Sequence, residues 1–410
     1  MAKLDINFIR DHFPAFSEPS LQGFTHFENA GGSYACSQVI DSLQRYYRET
    51  KVQPHYGFEP SNTAGMEMDR ARERMAAWLN VATEEVQFGP STSQNTYVVG
   101  QALRQHLKPG DEVIVTNQDH EANVGAWRGL EAAGMVVREW RVNPETAELE
   151  VAELERLLND RTRVVAFTHC SNIVGSMHPV REWTDKIHQA GAIAIVDGVS
   201  YAPHGLPDVD ALGADIYLFS LYKVYGPHLG VMVMREALNK ALPNQGHFFN
   251  AGHPTARFTP AGPDHAQIAS VNGVLDYFEA VYEHHYGGGE ATTARKTSAV
   301  RALFQHTERR NLQPLLDHLG QKPGVNVIGK TVTKHRAPTV SFTVADRNPA
   351  QIAAQLASSK IGIANGNCYA YRLMEALDIP PAEGVVRVSF VHYTSEQEVD
   401  RLLEALDAIL

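Results

Sequence analysis

Cysteine is scarce in this chain. Cys36, Cys170 and Cys368 are its only three, set far apart and without metal-ligand spacing, which argues against a disulfide framework or a zinc site. Long apolar runs are missing too. None reaches the ~20 residues a membrane-spanning helix needs, and the opening Met1-Ala2-Lys3-Leu4-Asp5 has no apolar signal core. A cytoplasmic protein without a membrane partner is therefore expected. Positive charge is in short supply: 36 Lys and Arg against 47 Asp and Glu give a formal net charge of −11. The densest cationic cluster, Arg70, Arg72 and Arg74, is interleaved with Asp69 and Glu73, so no nucleic-acid partner is expected. Neither an internal repeat nor a low-complexity tract is present.

What remains is an ordinary globular composition, 43% hydrophobic and 20% charged over 410 residues. That length exceeds what one core usually fills, so two unequal domains are expected. Buried-strand patterns at Val86–Phe88, Glu112–Thr116, Thr162–Thr168, Ala192–Val196, Ile216–Phe219 and Val231–Met234 alternate with helical ones. The helices are predicted at Gln94–His106, Ala122–Ala133, Val151–Asn159 and Val180–Ala190, after an amphipathic helix carrying Met68, Ala71, Met75, Trp78 and Leu79. This order is the signature of an α/β fold with a mostly parallel sheet. A loop-like stretch spans Asn244–Gly262, a long helix is predicted from Gln267 to His285, and Gly287-Gly288-Gly289 punctuates it. Beyond lie strands at Pro338–Val344 and Val385–Phe390 and a helix at Glu396–Ile409, the pattern of a smaller α+β domain. The expected organisation is residues 1–24 packing on the small domain, 25–290 as the large domain and 291–410 as the small one.

The stretch F-S-L-Y-K-V-Y-G-P places Lys223 among small and hydroxylated residues, twenty-odd positions after a strand ending in Asp197. Those parts suit pyridoxal 5′-phosphate. A lysine amine forms a Schiff base with its aldehyde, a carboxylate pairs with its ring nitrogen so that the ring draws electrons, and hydroxyls and backbone N–H groups hold its phosphate. Ser91-Thr92-Ser93-Gln94, opening a predicted helix, offers such a cradle.

From Phe27 to Arg401 these motifs and others occur in an order that resembles the class V aminotransferase, or cysteine-desulfurase-like, group of fold-type-I pyridoxal phosphate enzymes. The resemblance implies a large domain built on a seven-stranded-type, mostly parallel sheet. It implies Lys223 as the Schiff-base lysine and Asp197 as partner of the pyridine nitrogen. Asn172, in T-H-C-S-N-I-V-G, would sit beside the phenolic oxygen, and His120, in N-Q-D-H-E-A-N, would stack on the ring and serve as an auxiliary acid or base. Thr92, Ser93, Ser220 and Tyr222 would hold the phosphate, although the family usually has histidine where Tyr222 stands. Arg387, in G-V-V-R-V-S-F, would hold the substrate carboxylate. His55 and Tyr56 would reach the neighbouring active site of a homodimer, and Arg257 and Gly262 would approach the partner's cofactor phosphate.

Departures from the family pattern bear on the reaction. Ser200 stands where a glutamine usually does, and Glu59 where the dimer motif has its second histidine. At the loop A-N-G-N-C-Y-A, Tyr369 occupies the nucleophile position and Cys368 falls one residue early, so that on an extended loop its side chain would turn away. Cys170 reads as a packing residue. The expected function is β-elimination at a C–S bond of a small amino acid. The alternatives are a cysteine desulfurase through Cys368, an isopenicillin-N-epimerase-like epimerase, a class V aminotransferase, or a non-catalytic binding protein of the same fold.

Overall fold

The computed structural model describes residues 2–410. Its centre is a seven-stranded sheet of β1 (Val86–Gly89), β2 (Glu112–Thr116), β3 (Val136–Trp140), β4 (Thr162–Thr168), β5 (Ile193–Asp197), β6 (Ile216–Ser220) and β7 (Gly230–Met234), in the order β1-β7-β6-β5-β4-β2-β3. Only β7 runs against the rest, pairing antiparallel with β6 and β1. Buried on both faces, the inner strands are continuous runs of apolar residues. Their alternation feeds two cores: Ile195, Ile216 and Leu218 pack on one side, Val196, Tyr217 and Phe219 on the other.

Strand β3 was not expected from the sequence. It is an edge strand whose outer positions are partly exposed, and Arg138 in it is held 3.0 Å from Glu112 of β2, so its pattern lacks the apolar run that marks its neighbours. The predicted helix Ala122–Ala133 is also corrected. It is three short pieces, Glu121–Asn123, Gly125–Arg128 and Gly129–Ala133, because Gly125 and Gly129 weaken helix propagation. The helix predicted to Asn159 ends at Leu157.

After the loop come two long helices, α1 (His265–Tyr286) and α2 (Thr293–Gly320). Gly287 separates them at φ 81°, a conformation that favours glycine. A second sheet follows, of β8 (Val325–Val327), β9 (Thr339–Val344), β10 (Ala364–Gly366) and β11 (Val385–Ser389), wholly antiparallel in the order β10-β11-β9-β8. The helix Glu396–Ile409 packs on it behind a Ser395/Glu398 capping box.

The N-terminal segment touches both parts of the chain. Arg10 Nε donates to the Tyr393 carbonyl (3.0 Å) and its guanidinium pairs with Glu398, while Phe8 stacks on His284 at the end of α1 (3.8 Å). Thr25–His26 then pairs with Ile361–Gly362. This carries Glu28 across to β11.

Candidate active site

The parallel strands β4, β5 and β6 end side by side, Thr168 opposite Asp197 and Asp197 opposite Leu218. Their carboxyl ends open into a cavity, where open α/β sheets place ligands. Lining it are Asp197, Lys223, Thr92, Ser220, Asn172 and His120, with Ser91, Ser93, Thr168, Cys170, Ser200, Tyr222 and His228 completing the wall. Residues separated by more than a hundred positions meet here because each follows directly on a strand end or opens a helix.

Lys223 is buried in a short turn after β6. Burial and the nearby Arg387 cation push its ammonium down to about 8, against the opposing pull of Asp197 and Glu28. Asp197 is pushed up to about 6 by burial; the Val199 N–H donates to Oδ1 (2.8 Å) and Lys223 also favours the anion. No described residue donates to its other carboxylate oxygen. Asn172 Nδ2 donates to the Cys368 carbonyl (2.9 Å), leaving a buried Oδ1 without a partner.

At the opposite wall, the helix Thr92–His106 begins at the cavity. Ser91 Oγ caps it by accepting from Gln94 N (3.1 Å), and Thr92 Oγ1 meets Ser220 Oγ at 2.7 Å. The strand β7 lies so close that a Cβ on Gly230 would come within 2.5 Å of the Ser91 carbonyl carbon. This is a dense polar cup at a helix N-terminus, with the charge preference of an anion site. A buried amine, a half-free carboxylate, an orphaned amide oxygen and that cup together fit pyridoxal phosphate.

His120 differs from its expected acid–base part. Burial, then Lys223 and Arg387, lower its imidazolium to about 4. Its Nδ1 accepts from Ala122 N (3.0 Å), which puts the ring proton on Nε2 of a neutral imidazole. The geometry makes it an uncharged flat ring. The turn that carries it is tied by the buried Asp119, which accepts from Asn123 Nδ2 (2.7 Å) and from the Thr116 hydroxyl. Burial nonetheless raises Asp119 to about 8.

The loop after β10 corrects a second expectation. Cys368 and Tyr369 both have left-handed backbones, φ 46° and 63°, so the alternation of an extended strand does not hold. Cys368 is half-buried, its thiol donating weakly to the Gly366 carbonyl (3.9 Å), and it feels the charges of Arg387, Glu28 and Lys223 without lining the cavity. Burial still raises the pKa of the thiol, the cations offsetting only part of that. Tyr369 is 71% exposed and leans on the His120 ring at 5.0 Å. Cys170 Sγ donates weakly to the Gly175 carbonyl (3.7 Å), and burial pushes it up to about 12, an inert thiol.

Arg387, on β11, is buried; Nη1 donates to the Asn172 carbonyl (3.2 Å) and Nη2 to Glu28 Oε1 (2.7 Å). The candidates for a neighbouring subunit lie elsewhere. His55 is at φ 65° with Nε2 3.9 Å from Asp69, and Tyr56 is largely exposed. Arg257 does not reach outward as expected: its three nitrogens donate to the carbonyls of Asn239, Ala251 and Leu242, holding its own loop. Gly262 sits in the open part of that loop. Sequence reasoning missed Glu28 and His228. His228 stacks on Tyr222 (5.0 Å, 5°) and stands five residues after Lys223 in the same motif, so its signal was present. Glu28 left none, since its partner lies 359 positions away.

A buried lysine and aspartate on adjacent strand ends, facing a phosphate cup, define a pyridoxal phosphate enzyme of fold type I. The chain belongs to the aminotransferase class-V family, whose sequence profile matches residues 25–402; the family's cofactor is pyridoxal 5′-phosphate. The aminotransferase-like protein FGM3 of Gibberella zeae is 34% identical, the match covering 100% of this chain and 99% of that protein. A cysteine desulfurase of Serratia proteamaculans is 28% identical over 98% of this chain and 97% of its own. In structure, the apo cysteine desulfurase from Thermococcus onnurineus superposes with a TM-score of 0.87 at 24% identity, covering 100% of this chain and 99% of that one. This protein is thus a cysteine-desulfurase-like enzyme of the class V family. No helix among its described residues is long and apolar enough to cross a membrane.

Proposed function

We propose that the enzyme is a lyase that eliminates a sulfur substituent from the β-carbon of a small amino acid, giving pyruvate, ammonia and a thiol or sulfide. The observation that carries this is the state of the loop thiol. Cys368 donates weakly to the Gly366 carbonyl (3.9 Å), outside the residues that line the cavity, and burial favours its protonated form, whereas sulfur abstraction by an enzyme cysteine needs a thiolate. Elimination needs no enzyme nucleophile. Pyridoxal phosphate, when bound, supplies a ring that accepts electron density from the substrate Cα.

The chain's own residues supply the rest. Asp197 would hold a proton on the ring nitrogen, which keeps such a ring electron-poor. The Lys223 amine, its ammonium lowered to about 8 by burial and Arg387, would take the Cα proton in its uncharged form, a fraction that grows as pH rises toward 8. Arg387 orients the α-carboxylate. Asn172 and Ser200 would border the phenolic oxygen, Thr92, Ser93, Ser220 and Tyr222 would hold the phosphate, and the neutral His120 ring would pack against the cofactor; all line one cavity. The leaving sulfur departs from Cβ as the Cα–H electron pair forms the new double bond, and water completes the release of pyruvate and ammonia. The Tyr369 ring lies 5.0 Å from that of His120, and its hydroxyl would protonate the departing sulfur.

The second reading is a cysteine desulfurase through Cys368, favoured by the Lys223 and Arg387 cations that pull its thiol back toward the anion. Product analysis separates the two. Cys368→Ser should keep pyruvate and ammonia production within a few-fold of the parent. If it abolishes turnover, and the parent accumulates a persulfide on Cys368, the desulfurase reading replaces the lyase. Product analysis with L- and D-amino acids would equally expose epimerase or aminotransferase activity.

A homodimer with shared sites completes this reading. The exposed Tyr56, Phe58, Met66 and Phe248 are apolar surface that a second subunit would cover, with the loop carrying Gly262 reaching the neighbour's phosphate. Full activity in a monomer at high dilution would exclude it.

A further inference from the structure

Arg387 is already occupied. Its side chain is 5% exposed, so an unpaired guanidinium here would be a costly buried charge. Nη2 pairs with Glu28 Oε1 at 2.7 Å, Nη1 donates to the Asn172 main-chain carbonyl at 3.2 Å, and Nε is buried with no acceptor. A carboxylate grips arginine best through two parallel N–H bonds from neighbouring nitrogens. Neither fork of Arg387 has both nitrogens free.

One of the two occupants is able to leave. The Asn172 carbonyl is fixed in the main chain of a buried turn. Glu28 is a side chain, 31% exposed, on a turn whose carbonyl accepts from Gly31 N (3.0 Å) and Gly32 N (3.3 Å). That turn seats the carboxylate against Gly31, where a Cβ would overlap it. Displacing Glu28 frees Nη2 next to the orphaned Nε, the fork an incoming carboxylate needs.

We propose that Glu28 is a built-in competitor for the substrate's α-carboxylate, pairing with Arg387 in the empty site and rotating out when substrate binds. This rests on reading Arg387 as the carboxylate holder. The exchange keeps the buried cation paired in both states, so neither leaves a bare charge. Because Glu28 blocks a binding-competent state, apparent affinity falls by the fraction of time that state is open. Glu28 thereby tunes KM for every carboxylate substrate.

The test is calorimetric binding of propionate, a carboxylate without an amine, to the pyridoxal-phosphate-loaded enzyme. Glu28→Gln removes the competing charge. Gly31→Ala leaves Glu28 chemically intact but fills its seat. Each should tighten propionate about tenfold, the gain for a competitor that holds the site about nine-tenths of the time. Arg387→Gln should weaken propionate at least ~100-fold, in the range for losing a buried charge-assisted pair. If Arg387→Gln weakens binding but neither other variant tightens it, the competitor proposal fails and Arg387 keeps its role. If Arg387→Gln leaves binding unchanged, the reading of Arg387 fails and the proposal falls with it.

Discussion

The two walls of the active site are built differently. The cofactor wall consists of strand ends and a helix start. Asp197, Ser220, Lys223 and Thr92 are all buried, and β7 presses on the Ser91–Thr92 backbone at Gly230. The substrate wall consists of pieces from remote segments: Glu28, Arg387 and the left-handed pair Cys368–Tyr369, with Glu28 partly and Tyr369 largely exposed. The first wall is anchored in buried strand ends and a helix start, while the second is assembled from partly exposed side chains of remote segments.

The largest expected effect on this contrast is Lys223→Ala, which should lower turnover at least ~10³-fold. Borohydride reduction of the parent followed by peptide mapping should find the pyridoxyl group on Lys223; another lysine would displace the whole cofactor wall. Asp197→Asn keeps the shape and removes the charge. It should cost ~10²-fold or more in turnover, since the ring nitrogen loses its proton partner; steady-state rates check this, and an unchanged rate would remove Asp197 from the mechanism.

The pH dependence of cofactor capture comes next. With its ammonium pKa lowered to about 8 by burial and Arg387, Lys223 is cationic below that value and a free amine above it. Schiff-base formation by the apoenzyme should therefore rise about tenfold per pH unit up to pH 7 and level off above about 8. A rise that continues to pH 10 would show an unperturbed lysine. Stopped-flow absorbance of the Schiff-base band follows it directly.

Matched glycine substitutions compare the walls themselves. Gly230→Ala drives a Cβ into fixed backbone and should cost about 1–3 kcal/mol in denaturant unfolding. Gly31→Ala meets the Glu28 side-chain carboxylate first, not backbone, and should cost under about 1 kcal/mol. Equal costs would erase the distinction. Smallest of all, Tyr369→Phe should change stability by less than about 0.5 kcal/mol, given its exposure, so any loss of turnover reports on its hydroxyl alone.

The sequence by itself determined the alternation of strands and helices, the cofactor, and a lysine and an aspartate that meet in one cavity, because these depend on local pattern. Apolar runs mark buried strands, and the residue following a parallel strand is delivered to the ligand edge whatever else the chain does. The edge strand β3 and the broken helix at Gly125 and Gly129 were lost where that pattern thins. Only the tertiary structure decided the rest. His120 is neutral because burial and two cations from other segments surround it. The loop at Cys368 and Tyr369 departs from extended alternation because two consecutive residues adopt positive φ, and Arg257 is engaged by its own loop. Glu28 meets Arg387 across 359 positions. Burial, protonation and long-range pairing are properties of the neighbours a residue acquires on folding, and no local stretch of sequence specifies them.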